Sequence, residues 1–228
     1  MPTESATVDG LEDYLALYDR SYAPKLLHRA NTMRAAFAGL LAKRSAGFYI
    51  VETGCASKFE DDGIVYGPQT APDHPWYPGG WEGPWSAGLS TILFDRFVQR
   101  HGGRVFSVDL DPQRCQAADA RTSLLTTVTC GDSVQFLHGI DRMVRPELID
   151  LLYLDSVDCD WDAPHPSSLH HLKELAAVFA RLAPGCLILV DDCQDAAGRR
   201  GKGLYIEDFM LGLGYEPLLY EYQTLWQK

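Results

Sequence analysis

Between Phe48 and Asp192 short apolar runs alternate with longer amphipathic segments: FYIVE, LSTILFDRFVQR, RVFSVD, PQRCQAADAR, LTTVTC, SVQFLHGI, LIDLLYLD, PSSLHHLKELAAVFARL and CLILVDD. Strands that alternate with helices leave one economical solution, a parallel sheet whose crossover helices cover both faces. The runs Leu148 to Leu154 and Leu187 to Val190 are apolar without alternation, which predicts central strands with neither face in water. The expected fold class is therefore α/β, a doubly wound and mostly parallel sheet.

The flanking segments extend that core. From Leu11 to Lys43 the apolar residues fall at helical spacing, and Pro24 divides the stretch into two helices, so residues 1–45 read as an N-terminal helical cap. Beyond Gly198 the stretch AGRRGKG leads into a helix predicted from Leu204 to Leu213. YEPLLYEYQTLWQK then offers one or two terminal strands, antiparallel at the sheet edge, where Pro217 is tolerated. Residues 58–88 fit no regular element: they carry Pro68, Pro72, Pro75, Pro78 and Pro84 with Trp76, Tyr77, Trp81 and Trp85. Aromatic content of this kind reads as a lid, the alternative being an ordered loop packed on the surface or on a partner subunit. The whole chain, 1–228, reads as a single domain.

Composition narrows the function. The 228 residues include 20 Lys and Arg against 31 Asp and Glu, a net charge of −11, which argues against nucleic acid and against an anionic membrane surface as partners. No apolar run approaches the roughly 20 residues that span a bilayer, and MPTESATVDG lacks a secretory pattern, so the expected location is cytoplasmic. The six cysteines form no CxxC pair and read as small buried apolar groups rather than a zinc site or a disulfide framework.

In open α/β sheets ligands bind beyond the carboxyl ends of the strands, and nearly every predicted strand here ends in an acid: Glu52, Asp109, Asp132, Asp155, and the pair Asp191 and Asp192. One such acid alone reads equally as a helix cap. Gathered on one rim they repel, and call for solvent, a cationic ligand or a metal. In Glu52-Thr53-Gly54-Cys55 the glycine lets a ligand approach the backbone, and Ser90 or Thr91 can cap the helix after the aromatic segment. Asp109 suits a bidentate bond to a ribose diol, and Asp132 with Ser133 stands where an adenine amino group can be bound.

The ordered series ETGCAS, VDLDP, CGDS, LIDLLYLDS and LILVDDCQ resembles the class I S-adenosylmethionine-dependent methyltransferases from about Phe48 to Asp192. The resemblance implies a Rossmann-like methyltransferase sheet with S-adenosylmethionine as cofactor. Glu52 and Gly54 would lie at its methionine moiety with Thr53, Cys55 and Ser90 beside them, Asp109 at the ribose, and Asp132 and Ser133 at the adenine. The last acids carry a further resemblance, to metal-dependent small-molecule O-methyltransferases of the macrocin O-methyltransferase-like group. That resemblance implies that Asp155, Asp191 and Asp192 bind Mg2+ or another divalent cation, which would hold and acidify an acceptor hydroxyl; the alternative is a metal-independent small-molecule methyltransferase, in which one acid of the pair caps the following turn and the other faces solvent. The acceptor would be a small molecule, in order of preference a sugar, a phenol or another natural product.

For the general base the loop after the fourth strand offers Asp158, Asp160, Asp162 and His165. Asp158 and His165 are the catalytic candidates, the bland alternative for His165 being a surface residue. His170 and His171 fall inside the predicted helix Ser167 to Leu182 and read as structural. Oligomeric state stays open, the helical cap and the aromatic insertion being compatible with a homodimer. Three competing classes are weaker. A haloacid-dehalogenase-like phosphohydrolase leaves the first strand without a role, an NAD-dependent dehydrogenase lacks a compact GxGxxG, and an interaction protein need bind neither cofactor nor metal.

Overall fold

A computed structural model describes residues 6–43, 46–55 and 89–228. The aromatic segment 58–88 lies outside the described residues. Seven strands form one sheet: β1 (Phe48–Thr53), β2 (Gly103–Asp109), β3 (Thr126–Cys130), β4 (Leu151–Leu154), β5 (Leu187–Val190), β6 (Leu219–Tyr220) and β7 (Thr224–Gln227), in the order β3-β2-β1-β4-β5-β7-β6. The first five are mutually parallel, while β7 runs antiparallel between β5 and the two-residue edge strand β6. This is the expected doubly wound sheet with its antiparallel C-terminal edge.

The faces explain why the central runs show no alternation. Ile50, Leu151, Tyr153, Leu187, Leu189 and Leu225 point into one core, which they share with Tyr14, Tyr18, Met33, Phe37, Phe94 and Phe97. Val51, Leu152, Leu154, Ile188, Val190 and Trp226 point into the other, with Leu175, Val178, Ile206 and Met210. Neighbouring residues thus serve opposite layers, and both layers are apolar.

The first layer holds α1 (Ala6–Ser21), α2 (Ala23–Leu26), α3 (Ala30–Ala42) and α4 (Leu89–His101). Pro24 stands in the first turn of α2, where its missing N–H costs nothing. α3 packs against β5 and β7, so the N-terminal helices cover the sheet rather than extend away from it. The second layer holds α6 (Ser133–His138), α7 (His165–Val178) and α8 (Leu204–Gly212), and α5 (Pro112–Asp119) packs on β2 and β3.

Two expected boundaries move. Leu148 belongs to a 3-10 turn, Pro146–Leu148, that precedes β4, because a proline at its start bends the chain before the strand can form. The helix expected from Ser167 to Leu182 starts two residues earlier, with Pro166 in its first turn, and ends at Val178 in a further 3-10 turn. Four cysteines are buried as expected, whereas Cys130 is exposed and Cys159 half-buried; all six are free thiols. No helix among the described residues is long and apolar enough to cross a membrane.

Candidate active site at the carboxyl ends of the strands

The structure brings the acids to one end of the sheet but does not leave them on a common open rim. Glu52, the penultimate residue of β1, is fully buried. Ser90 Oγ donates to its Oε1 at 2.5 Å, while Thr91 Oγ1 and Ser107 Oγ donate to its Oε2 at 2.6 and 2.7 Å. Burial pushes this carboxyl up to about 7 even though three hydroxyls favour its charged form. Ser90 and Thr91 sit in the first turn of α4, and instead of capping it their hydroxyls tie the helix to β1. Thr53 is equally buried, its Oγ1 accepting the Asp155 N–H at 3.4 Å.

Gly54 follows β1 with φ +84°, and a Cβ there would lie 2.3 Å from the Asp155 carbonyl oxygen. Only glycine fits this crossing of two loops. Its N–H donates to the Val108 carbonyl at 2.8 Å, which sets the turn after β1 beside Asp109 at the end of β2. One Asp109 oxygen accepts the Asp111 N–H at 2.8 Å, and Arg114 lies 3.9 Å from the other. Burial nonetheless raises the Asp109 pKa above the usual carboxylate value. Cys55 is buried against Cys115, Ala118 and Val128. Asp132 is exposed and caps α6 through the Gln135 N–H at 2.8 Å, and Ser133 Oγ lies 3.0 Å from His170 Nε2. His170 in turn lies 3.3 Å from buried Glu174, while His171, fully buried, is pushed down to about 4 by desolvation.

Asp155, Asp191 and Asp192 do converge: each offers a carboxylate oxygen, and these lie within 4.8 Å of one another. Two cations that sequence reasoning missed lie against them. Arg29, from the turn before α3, forks onto Asp191 with Nε at 3.0 Å from Oδ1 and Nη2 at 2.9 Å from Oδ2, and reaches Asp192 at 3.2 Å. Lys202 Nζ bonds Asp155 Oδ1 and stands 2.9 Å from Asp192 Oδ2; its side chain is 1% exposed. Burial alone would discharge this ammonium, but Asp155 and Asp192 raise its pKa and keep it charged. Burial likewise opposes charge on Asp191, yet Arg29 and Lys202 hold its carboxyl down to about 2.

Local backbone geometry makes this convergence possible. Asp192 adopts φ +46°, a left-handed conformation that Asp tolerates better than most residues. The chain after it folds back, with Gly201 N–H bonded to the Cys193 carbonyl and Lys202 N–H to the Asp192 carbonyl, each at 2.8 Å. A Cβ on Gly201 would fall 2.0 Å from that Asp192 oxygen, so the glycine admits the close pass that delivers Lys202. Tyr222, in the turn between β6 and β7, donates to Asp192 Oδ1 and lies under the Arg29 guanidinium, 4.6 Å from ring centre to carbon. The signals for these partners were Lys202 between two glycines after an acid pair, and an arginine just before a helix.

Of the base candidates, Asp158 is exposed on the loop three residues beyond Asp155. His165 opens α7, where its Nδ1 lies 2.8 Å from Tyr205 Oη of α8, and it lines a surface groove with Pro166, Leu169 and Leu172. It makes no hydrogen bond to the acidic triad.

Comparison with known proteins agrees with this fold. Residues 85–193 match a family model described as a methyltransferase domain. No curated protein matches the sequence. Among solved structures, the fold matches the MycE methyltransferase from the mycinamycin biosynthetic pathway in complex with Mg and SAH, at 19% identity and a TM-score of 0.57 over 95% of this chain and 54% of that one. The same enzyme with Mg, SAH and mycinamycin VI matches at 17% identity and a TM-score of 0.58, over 98% and 54%. The chain thus spans about half the length of these structures, and the likeness is one of fold. In fold and in the matched segment the chain resembles the class I S-adenosylmethionine-dependent methyltransferases.

Proposed function

We propose that this chain transfers the methyl group of S-adenosylmethionine to a hydroxyl of a small molecule, a sugar or phenolic natural product. The observation that carries the reading is the pairing of Gly54 with Asp109. A buried glycine turn and a carboxylate lie at adjacent strand ends, joined by the Gly54 N–H bond to Val108. That is where a parallel sheet of this kind receives a nucleoside.

When bound, the cofactor supplies an electrophilic methyl on a sulfonium. The chain's own residues hold and orient the partners: Asp109 the ribose diol, Gly54 the close backbone contact, Asp132 and Ser133 the adenine edge. Glu52, saturated by three hydroxyls, braces β1, β2 and α4 beneath the cofactor rather than meeting it directly. As the oxygen–carbon bond forms and the sulfur–carbon bond breaks, the hydroxyl proton passes to Asp158, exposed on the loop three residues beyond Asp155. His165 is the second choice, its ring being engaged with Tyr205. Composition alone supports segment 58–88 as a lid over the acceptor.

The magnesium implied by resemblance meets the right donor atoms in the wrong state. Three carboxylates suit a hard divalent ion, but Arg29 and Lys202 already lie against them. Two cations already face the three carboxylates, and burial with the Asp191 charge pushes the Asp155 carboxyl up, towards its neutral form, so as folded the triad does not fit an added divalent ion and no step is routed through one. Calorimetric titration of S-adenosylhomocysteine tests the functional reading, followed by a screen of hydroxyl acceptors for methyl transfer. Absence of cofactor binding would overturn it.

A further inference from the structure

We propose that Lys202 is the resident cation of the acidic triad, standing between Asp155 and Asp192 where a divalent ion would bridge them, so that this chain holds its site together without a metal. The inference rests on the methyltransferase reading for its place in catalysis, but its test does not.

The geometry separates an internal cation from an exposed side chain that merely drifts near acids. Lys202 is 1% exposed, its Nζ is bonded to Asp155 and 2.9 Å from Asp192, and its backbone N–H is pinned to the Asp192 carbonyl. The ammonium has three donors, and two of them are committed to carboxylates from different strands. Arg29 meanwhile takes both oxygens of Asp191 and one of Asp192, so two cations already share the three carboxylates. A metal could enter only by expelling a buried ammonium from the two carboxylates that offset its desolvation, which is costly. Lys202 is fixed in place by the close backbone pass that Gly201 admits.

The decisive experiment compares the wild-type chain with Lys202→Met by thermal unfolding and calorimetry, with magnesium chloride and with EDTA. The wild type should show the same Tm in both and no magnesium heat. Lys202→Met, with two half-buried carboxylates freed, should gain a magnesium heat and a Tm that rises with magnesium, both lost in Lys202→Met/Asp192→Asn. Magnesium uptake by the wild type that vanishes in Asp192→Asn would overturn the inference, and this arm needs no lysine variant to fold. A folded Lys202→Met that ignores magnesium would overturn the claim that the lysine holds the ion's place. S-adenosylhomocysteine heats from the same samples report separately on the methyltransferase reading.

Discussion

Arg29 and Asp191 lie 162 residues apart in sequence, yet the guanidinium forks onto the carboxylate with both its Nε and its Nη2 within hydrogen-bonding distance. One residue precedes α3 and the other follows β5. Their pairing therefore fastens the N-terminal helices to the ends of the central strands. Truncating Arg29 leaves a carboxylate that is 1% exposed without its counter-charge. Arg29→Leu is expected to lower the unfolding free energy by about 3 to 5 kcal/mol, read by urea denaturation. Arg29→Lys should recover only part of it, since an ammonium cannot reproduce the fork. A loss no larger than that of a surface pair would contradict the assignment.

Glu52 predicts a pH dependence of unusual sign. Its folded pKa, about 7, lies above the ordinary 4.5, so the folded state binds the extra proton between those values. The stability this contributes is present below pH 4.5 and lost as pH rises towards 7, about 3 kcal/mol in all. His171 acts oppositely: lowered to about 4 from 6.5, its contribution is present above pH 6.5 and lost as pH falls to 4. In Glu52→Gln the first limb disappears and unfolding free energy should climb more steeply from pH 4.5 to 7 than in the wild type. Parallel curves for the two proteins would refute the prediction.

Asp109→Ala removes the carboxylate proposed to hold the ribose diol. Loss of a charge-assisted pair of hydrogen bonds predicts S-adenosylhomocysteine binding weaker by about 10- to 100-fold, with the fold intact by circular dichroism. Unchanged affinity would move the cofactor elsewhere.

Gly54→Ala and Gly201→Ala probe the two close backbone passes. In the first, a left-handed residue gains a Cβ 2.3 Å from the Asp155 oxygen; in the second, a Cβ meets the Asp192 oxygen at 2.0 Å. Each should cost about 2 kcal/mol or more, visible as a lowered Tm. Gly54→Ala should additionally weaken S-adenosylhomocysteine binding. Retained Tm in either variant would show that the loops can part.

Much of the fold is readable from residues alone. LIDLLYLD and CLILVDD had to be strands covered on both faces, because no helical or half-exposed pattern accommodates Leu151 to Leu154 or Leu187 to Val190. The acids were legible as well, since each stands at, or within two residues of, the end of a recognisable apolar run. Their partners were not. Ser90, Thr91 and Ser107 look like ordinary polar residues until the sheet stacks them around Glu52, and nothing local to Arg29 or Lys202 says which carboxylate each will meet. Long-range charge pairing depends on tertiary placement, and sequence periodicity carries no record of it. The edge strand β6, only two residues long, likewise owes its existence to β7 beside it.

The position of β7, wedged between β5 and β6 though it comes later in the chain than either, has a consequence for synthesis. Until Gln227 has emerged from the ribosome, β5 presents a bare, apolar edge of the kind that recruits other chains, and Tyr222 has no turn to carry it to Asp192. The partners of the acid pair are thus completed only after the segment beyond α8 has been made. A ribosome stalled after α8 would display a half-closed, adhesive nascent sheet that chaperones must shield.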